Sequence, residues 1–211
     1  MKSTSTATAV SNRFERRRER TRRQLLAAAT RVLAAKGFHD TKISDMAAAA
    51  DVGVGTFYLH FPDKETLFDA VVDDTVVRLK ATVDAARARA ADARDEMLAA
   101  NAAFFRFAQE NREVFKIVFG HAAAYNDLIR RAQALFIADI EETIQEGIAA
   151  GVFAPLSPAI VAQAVIGMAT QVIACWTEHE SVPIETLIET TTALALHGIT
   201  PGAPAKGARH G

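Results

Sequence analysis

The chain has 211 residues, 50% of them hydrophobic, and a formal net charge of −1, so it has enough apolar material for a substantial core. Its single cysteine, Cys175, excludes an intramolecular disulfide and fits a reducing compartment. The polar stretch 2–12 lacks the apolar core of a secretory signal peptide, and we therefore expect a cytoplasmic protein.

Charge is unevenly distributed along the chain. Residues 1–64 carry 12 Lys and Arg against 6 Asp and Glu, whereas residues 65–211 carry 12 against 19. A basic head on an acidic body is expected when only the head meets a polyanion. The distribution therefore favours nucleic-acid binding by the N-terminal part.

The N-terminal segment combines a polar tail with an arginine-rich tract. Residues 1–12 show no apolar periodicity, which predicts a disordered tail. Helical spacing then predicts a first helix from Arg16 to Lys36, which Gly37 ends. The tract 13–23 is expected to add contacts to phosphates or to the minor groove, with a solvated helix face as the alternative.

Two short helical patterns follow, separated by Asp51-Val52-Gly53. Thr41 is the predicted N-cap of the first, and Asp51 lies where the turn is expected to need a positive φ. Gly53 is the predicted N-cap of the second, which continues to Phe61. In a basic region, two short helices joined by a tight turn predict a helix-turn-helix whose second helix enters the major groove.

The residues of this region resemble the TetR/AcrR family of transcriptional regulators over roughly 16–68. The resemblance lies in AAKGF (34–38), TKISDMA (41–47), VGVGTFYLHF (52–61) and DKETL (63–67). Two positions depart from the family pattern: Asp51 stands where glycine is common, and Gly53-Val54 where a Ser or Thr and often a basic residue are found. The second departure removes a possible hydrogen-bond donor to DNA.

The resemblance implies an all-α homodimer with an N-terminal three-helix helix-turn-helix head and a C-terminal helical-bundle body for ligand binding and dimerisation. The expected organisation is a disordered tail (1–12), a DNA-binding domain (13–63), an effector-binding and dimerisation domain (64–198) and a second disordered tail (199–211). Beyond the head, helical patterns are predicted at 64–89, 92–109, 112–119, 124–149, 158–177 and 183–197.

By the same resemblance, eight residues are candidate DNA contacts. They are Thr41, Lys42, Val54, Gly55, Thr56, Tyr58, His60 and Lys64. The lysines are suited to neutralise phosphates, Tyr58 to bond a phosphate or pack on a sugar, and Thr56 to touch a thymine methyl or a base edge. The alternatives are a structural Tyr58, a half-buried His60 and a Lys64 that only solvates the next helix.

The pattern at 158–177 contains no charged residue, and its length would suffice to span a membrane. Gln163, Thr170 and Gln171 within it favour a helix of a soluble protein that is buried on most sides. The resemblance implies a dimer interface formed by the helices near 158–177 and 183–197, and we expect no membrane partner.

Aromatic residues are concentrated in the C-terminal body, where most are expected to be core. The same set would also supply the walls of a pocket for a small apolar or aromatic effector. The candidate pocket residues are Phe104, Phe107, Phe119, His121, Tyr125, Phe136, Gln171 and Trp176.

The sequence offers no glycine-rich phosphate loop, no Cys/His metal spacing and no nucleophile with an evident base, so we expect no enzyme, metal or cofactor. The predicted function is a ligand-responsive repressor that binds a (pseudo)palindromic operator as a homodimer and is released by its effector. The alternatives are a DNA-binding protein without a small effector (architectural or protein-regulated), a helical ligand carrier or enzyme, and an activator.

Overall fold

A computed structural model describes the backbone of residues 4–120, 122–179 and 182–200, and the side chains of 15–119, 127–179 and 182–200. In these residues the chain forms helices and no strands, which confirms the all-α prediction. The helices are α1 (Thr4–Asp40), α2 (Ile43–Ala49), α3 (Val54–Tyr58), α4 (Lys64–Arg87), α5 (Ala93–Glu110), α6 (Arg112–Gly120), α7 (Ala122–Ala149), α8 (Pro158–His179) and α9 (Ile184–Ile199).

Helix α1 begins at Thr4, where the sequence predicts a disordered tail. No proline or glycine interrupts 4–36, and extending an existing helix requires no new nucleus. The helix then kinks at Gly37, whose φ of 75° and ψ of 170° are not helical, at the predicted stop. The second predicted tail covers 199–211. Its first residue, Ile199, is the last residue of α9, and 201–211 lie outside the described residues.

The chain divides into two compact units, 1–75 and 76–211, so the boundary falls inside α4. The sequence predicts a boundary just before Lys64. The difference arises because the first turns of α4 bury Leu67, Phe68 and Val71, and the Phe68 ring lies 5.2 Å from that of Phe38. The start of α4 therefore belongs to the core of the N-terminal unit.

Helices α2 and α7 end in the same hydrogen-bonded turn, which requires one residue in the left-handed region. After α2 this residue is Asp51, with a φ of 55°, and the Val52 amide donates to the Ala47 carbonyl at 3.0 Å. After α7 it is Gly151, with a φ of 72°. The positive φ predicted for Asp51 is confirmed.

The C-terminal unit is a helical bundle in which α7 packs on α8, α5 on α9 and α6 on α8. Its main core contains Phe105, Ile173 and Ile184, each almost completely inaccessible to solvent. A second cluster, around Ile144 and Phe153, lies where α7 and α9 end. Residues of both clusters line a cavity, described below.

Helix α8 is apolar but largely uncovered within the single chain. Its mean hydropathy reaches 1.7 over a window of which only 22% is buried. The uncovered side carries Ile160, Ala164, Gly167 and Gln171. Length and composition would also allow a membrane span, but one such helix is a weak indication. The expectation that α8 is buried on most sides is not met within one chain.

Candidate DNA-binding surface and effector cavity

Helix α3 is anchored by two aromatic residues and exposes its opposite side. Gly53 is its N-cap, as predicted. Phe57 and Phe61 are buried, and the amide of Phe61 donates to the carbonyl of Phe57 at 2.9 Å. Helical periodicity then directs Val54 and Tyr58 to solvent, where both are exposed.

Of the predicted DNA contacts, four are exposed and two are half-buried. Lys42, Val54, Gly55 and Tyr58 are exposed, whereas Thr56 and His60 are half-buried. Leu59, which was not among the predicted contacts, is 75% exposed beside Tyr58. The sequence could have indicated this exposure. Leu59 lies between Phe57 and Phe61, and a residue midway between two buried positions of a helix points away from the core.

Thr41 is not available to DNA in this structure. It is 2% exposed, and its hydroxyl donates to the Gly37 carbonyl at 2.6 Å. The N-cap of α2 is Lys42 rather than Thr41. Both predictions for Thr41 are therefore wrong, because the threonine satisfies a carbonyl at the kink of α1 instead of the amides of α2.

Lys64 joins the end of α1 to the start of α4. Its Nζ donates to the carbonyls of Phe38 at 2.8 Å and Thr41 at 3.2 Å, and lies 4.3 Å from the centre of the Phe38 ring. A lysine engaged in this way stabilises the fold of the unit, and its ammonium group is not free to bind a phosphate.

The turn before α2 is held by a charged pair. The amide of Lys42 donates to Asp45 Oδ2 at 3.1 Å, and Lys36 Nζ lies 3.0 Å from the same oxygen. The hydrogen bond from Lys36, followed by that from the Lys42 amide, lowers the pKa of Asp45. This arrangement fixes the backbone of Lys42 while leaving its side chain exposed.

The arginine-rich tract is helical and mostly exposed. Arg16, Arg17, Arg18 and Arg20 are exposed, while Arg23 pairs with Glu19 at 3.4 Å. Arg22 lies 5.2 Å from the centre of the Phe61 ring, beside the end of the recognition helix. Burial, and then the charges of Arg18 and Arg22, lower the pKa of His60. The tract therefore concentrates positive charge near the exposed side of α3.

The C-terminal unit contains a cavity of about 80 Å³ between five helices. Its walls are mainly apolar, and polar groups occur in two places. One place combines Arg87, Glu96, Asp139 and Thr143; the other combines Asn101 and Thr192. The apolar wall consists of Val83, Met97, Leu98, Ala100, Phe104, Phe136, Ile140, Val165, Ile166, Ala169, Ala195 and Leu196.

Helix α4 reaches the cavity through Val83 and Arg87. Arg87 Nε donates to Glu96 Oε1 of α5 at 2.5 Å, and Arg87 Nη1 lies 3.0 Å from Asp139 Oδ2 of α7. The last part of α4 is thus fastened to the two helices that form the opposite walls.

Two family models match the chain. The model described as "Bacterial regulatory proteins, tetR family" matches residues 25–71, and the one described as "Tetracyclin repressor-like, C-terminal domain" matches residues 90–199. The chain belongs to the TetR family. The matches cover α2 and α3 and four of the five helices that line the cavity, so this TetR-family protein is a transcription regulator with a helix-turn-helix.

Relatives named as regulators cover different shares of the chain. The HTH-type transcriptional regulator YhgD of Bacillus subtilis is 26% identical over 76% of this chain and 86% of its own length. The HTH-type transcriptional activator FasR of Mycolicibacterium smegmatis is 32% identical over 48% of this chain and 47% of its own.

Solved structures show the same fold at low identity. The fatty acid degradation regulator FadR of Bacillus halodurans has a TM-score of 0.71 at 22% identity, covering 83% of this chain and 94% of its own. FadR of Bacillus subtilis, solved in complex with stearoyl-CoA, has a TM-score of 0.70 at 19% identity, covering 83% and 98%.

The structure divides the residues predicted for the effector pocket of this TetR-family protein. Phe104 and Phe136 line the cavity. Phe107 and Trp176 are buried core residues, and Trp176 Nε1 donates to the Val182 carbonyl at 2.8 Å, which holds the connection between α8 and α9.

The remaining predicted pocket residues do not line the cavity or lie outside the described part. Phe119 packs against the main core. Gln171 lies on the uncovered side of α8 and is therefore a wrong prediction for the cavity. His121 and the side chain of Tyr125 lie outside the described residues. Among the described residues, no group of three His, Cys, Asp or Glu is arranged to hold a metal ion.

Proposed function

We propose that this TetR-family protein is a cytoplasmic, ligand-responsive repressor that binds a (pseudo)palindromic operator as a homodimer and is released by a small, largely apolar effector. The observation that carries the proposal is the continuity of α4. Its first turns are buried in the N-terminal unit, while Val83 and Arg87 near its other end line the cavity.

The proposed DNA contacts centre on α3. Tyr58 and Leu59 are suited to pack on sugars or a thymine methyl, and Gly55 leaves room for close approach of the backbone to a base edge. Lys42 and the exposed arginines of α1 supply phosphate contacts that carry no sequence information. A dimer would place two such helices about 34–36 Å apart in successive major grooves.

The proposed dimer interface is the uncovered apolar side of α8 together with α9. Ile160 is 70% exposed and Leu194 62% exposed, and exposed apolar patches of this kind mark interaction sites. Small residues such as Ala164 and Gly167 would allow close approach of the partner helices. A second copy of the chain would remove these side chains from water.

The proposed release mechanism follows from the place of α4 in the cavity wall. Val83 and Arg87 of this helix line the cavity of about 80 Å³, so a bound effector contacts α4 directly. An effector that prefers a different tilt of α4 shifts the population away from dimers with the spacing needed for DNA.

Selection of bound duplexes from a random pool, with the purified full-length protein, tests the DNA side of the proposal. We expect an inverted repeat, and we expect Tyr58→Ala to weaken binding to it by at least about tenfold. Lys116→Ala, on the exposed side of α6, serves as the control. Equal affinity of the protein for every duplex, with no enriched sequence, would contradict the proposal.

The sign of regulation needs its own measurement, because FasR is named as an activator. We propose repression. A reporter under the selected operator is expected to rise in output when the gene for this protein is deleted. A fall in output would instead assign activation, while leaving the DNA-binding proposal intact.

A further inference from the structure

The charged groups at one end of the cavity form a network of ion pairs. Arg87 Nε is bonded to Glu96, Arg87 Nη1 is paired with Asp139, and Arg87 Nη2 donates to Thr143 Oγ1 at 3.1 Å and to the Asp139 carbonyl at 3.3 Å. All three guanidinium nitrogens are therefore already engaged by protein oxygens.

The network carries more negative than positive charge. Lys80 Nζ lies 3.0 Å from Asp139 Oδ2 and 2.6 Å from Asp84 Oδ1. Although burial of Lys80 acts in the opposite direction, its hydrogen bonds to Asp84 and Asp139 raise its pKa. The two cations, Lys80 and Arg87, thus face three carboxylates, Asp84, Glu96 and Asp139.

A ligand with an anionic group would meet an unfavourable environment at this end. It would have to displace a carboxylate from Arg87, which breaks a charge-assisted hydrogen bond. It would also leave that carboxylate without its partner in a half-buried site, where an unpaired charge is costly. The apolar remainder of the cavity offers an anion no hydrogen-bond donor in compensation.

The second polar place offers a ligand an acceptor, Asn101 Oδ1, and a hydroxyl donor on Thr192. The Nδ2 atom of Asn101 donates to Thr191 Oγ1 at 2.9 Å and to Thr192 Oγ1 at 2.8 Å. In this orientation Oδ1 is the hydrogen-bond acceptor of the Asn101 side chain. Carboxylate oxygens at the other end are acceptors as well.

On this basis we infer that the effector is a mainly apolar molecule with a hydrogen-bond donor and no anionic group, and that Glu96 excludes carboxylates by occupying Arg87. The inference rests on the proposed function, because it concerns the ligand class of the same cavity. It distinguishes this cavity from a site for a CoA thioester, whose phosphates are anionic, such as the stearoyl-CoA in complex with FadR of Bacillus subtilis.

Calorimetric titration of the purified full-length protein, without DNA, tests the inference. The probes are primary alcohols from hexanol to dodecanol and the carboxylates of the same chain lengths, each below its micelle concentration. We expect each alcohol that binds to do so at least about tenfold more tightly than its carboxylate.

The variant Glu96→Gln keeps the shape of the side chain but removes one negative charge, and so weakens both the hold on Arg87 and the repulsion of an anion. We expect carboxylate affinity to rise by at least about tenfold and alcohol affinity to change by less than about threefold. Glu146→Gln, an exposed position of α7 that does not line the cavity, is the matched control and is expected to change neither affinity.

Three outcomes would overturn the inference: carboxylates that match the alcohols in the parent protein, no binding by any alcohol, or a carboxylate affinity unchanged in a folded Glu96→Gln protein. The comparison of probes in the parent protein needs no variant, so it tests the inference even if the Glu96→Gln protein does not fold. If an alcohol binds but leaves operator affinity unchanged, the release mechanism fails while the ligand class stands.

Discussion

The backbone of Asp51 adopts a strained conformation that the turn between α2 and α3 requires. Its φ of 55° lies in a region that costs a non-glycine residue about 1–2 kcal/mol. The strain is tolerated because the turn satisfies the last carbonyls of α2 and sets the direction of α3. Glycine would meet the same requirement without the strain.

We therefore expect Asp51→Gly to raise the free energy of unfolding by about 0.5–1 kcal/mol, after the larger chain entropy of glycine is taken into account. Denaturant unfolding at constant pH measures the difference. The same change at Asp73, an exposed position inside helix α4, is expected to lower stability by a few tenths of a kcal/mol. A loss of stability at both positions would show that the φ of Asp51 is not a cost.

The roles of some single residues could not be predicted from the sequence. The types of Lys64 and Trp176 suit contacts with DNA or a ligand equally well, but tertiary partners decide their roles. Lys64 bonds carbonyls at the end of α1, and Trp176 bonds one beyond α8. No local pattern contains these partners, because they are distant in sequence or lie in irregular loops.

At the scale of elements, prediction succeeded where stop signals are local. Gly37 and the turn after α2 lie at the predicted breaks in the helical pattern. Burial was less predictable, because apolar composition alone does not state which face has a neighbour. Helix α8 illustrates this, since its apolar side is uncovered in the single chain.

The end of α7 depends on a helix position that only glycine fits. A Cβ atom on Gly147 would lie 2.1 Å from Cδ2 of Phe153, and Phe153 is a buried member of the second core cluster. We expect Gly147→Ala to lower the free energy of unfolding by about 1–3 kcal/mol, as overpacked sites do.

Thermal unfolding of the full-length protein measures this effect. Gly55→Ala is the control, because a Cβ atom there has no neighbour within 4 Å and alanine is the better helix former. An unchanged or higher unfolding temperature for Gly147→Ala would mean that Phe153 has an alternative position in the core.

At the scale of the whole molecule, the proposed dimer predicts that Gly167 is exposed in the single chain and buried in the dimer. A Cβ atom on Gly167 of α8 has no neighbour within 4 Å, so Gly167→Arg introduces no clash within the chain. If α8 packs on its copy, the arginine is expected to weaken dimerisation by at least about a hundredfold, since a buried charge lacks a partner.

Sedimentation velocity over a range of concentrations measures the dimer dissociation constant. Ala81→Arg, on the exposed side of α4, carries the same charge elsewhere and is expected to leave it unchanged. A Gly167→Arg protein that remains dimeric at low concentration would exclude the middle of α8 from the interface.

The internal cavity has a further consequence for how the C-terminal unit responds to its surroundings. Empty space inside a folded protein is lost when the chain unfolds, so hydrostatic pressure favours the unfolded form. A cavity such as the one of about 80 Å³ adds to this volume change, which scales with the void volume of a protein but does not equal it. The unit is therefore compressible where its ligand is expected, and a molecule that fills the space would make it stiffer.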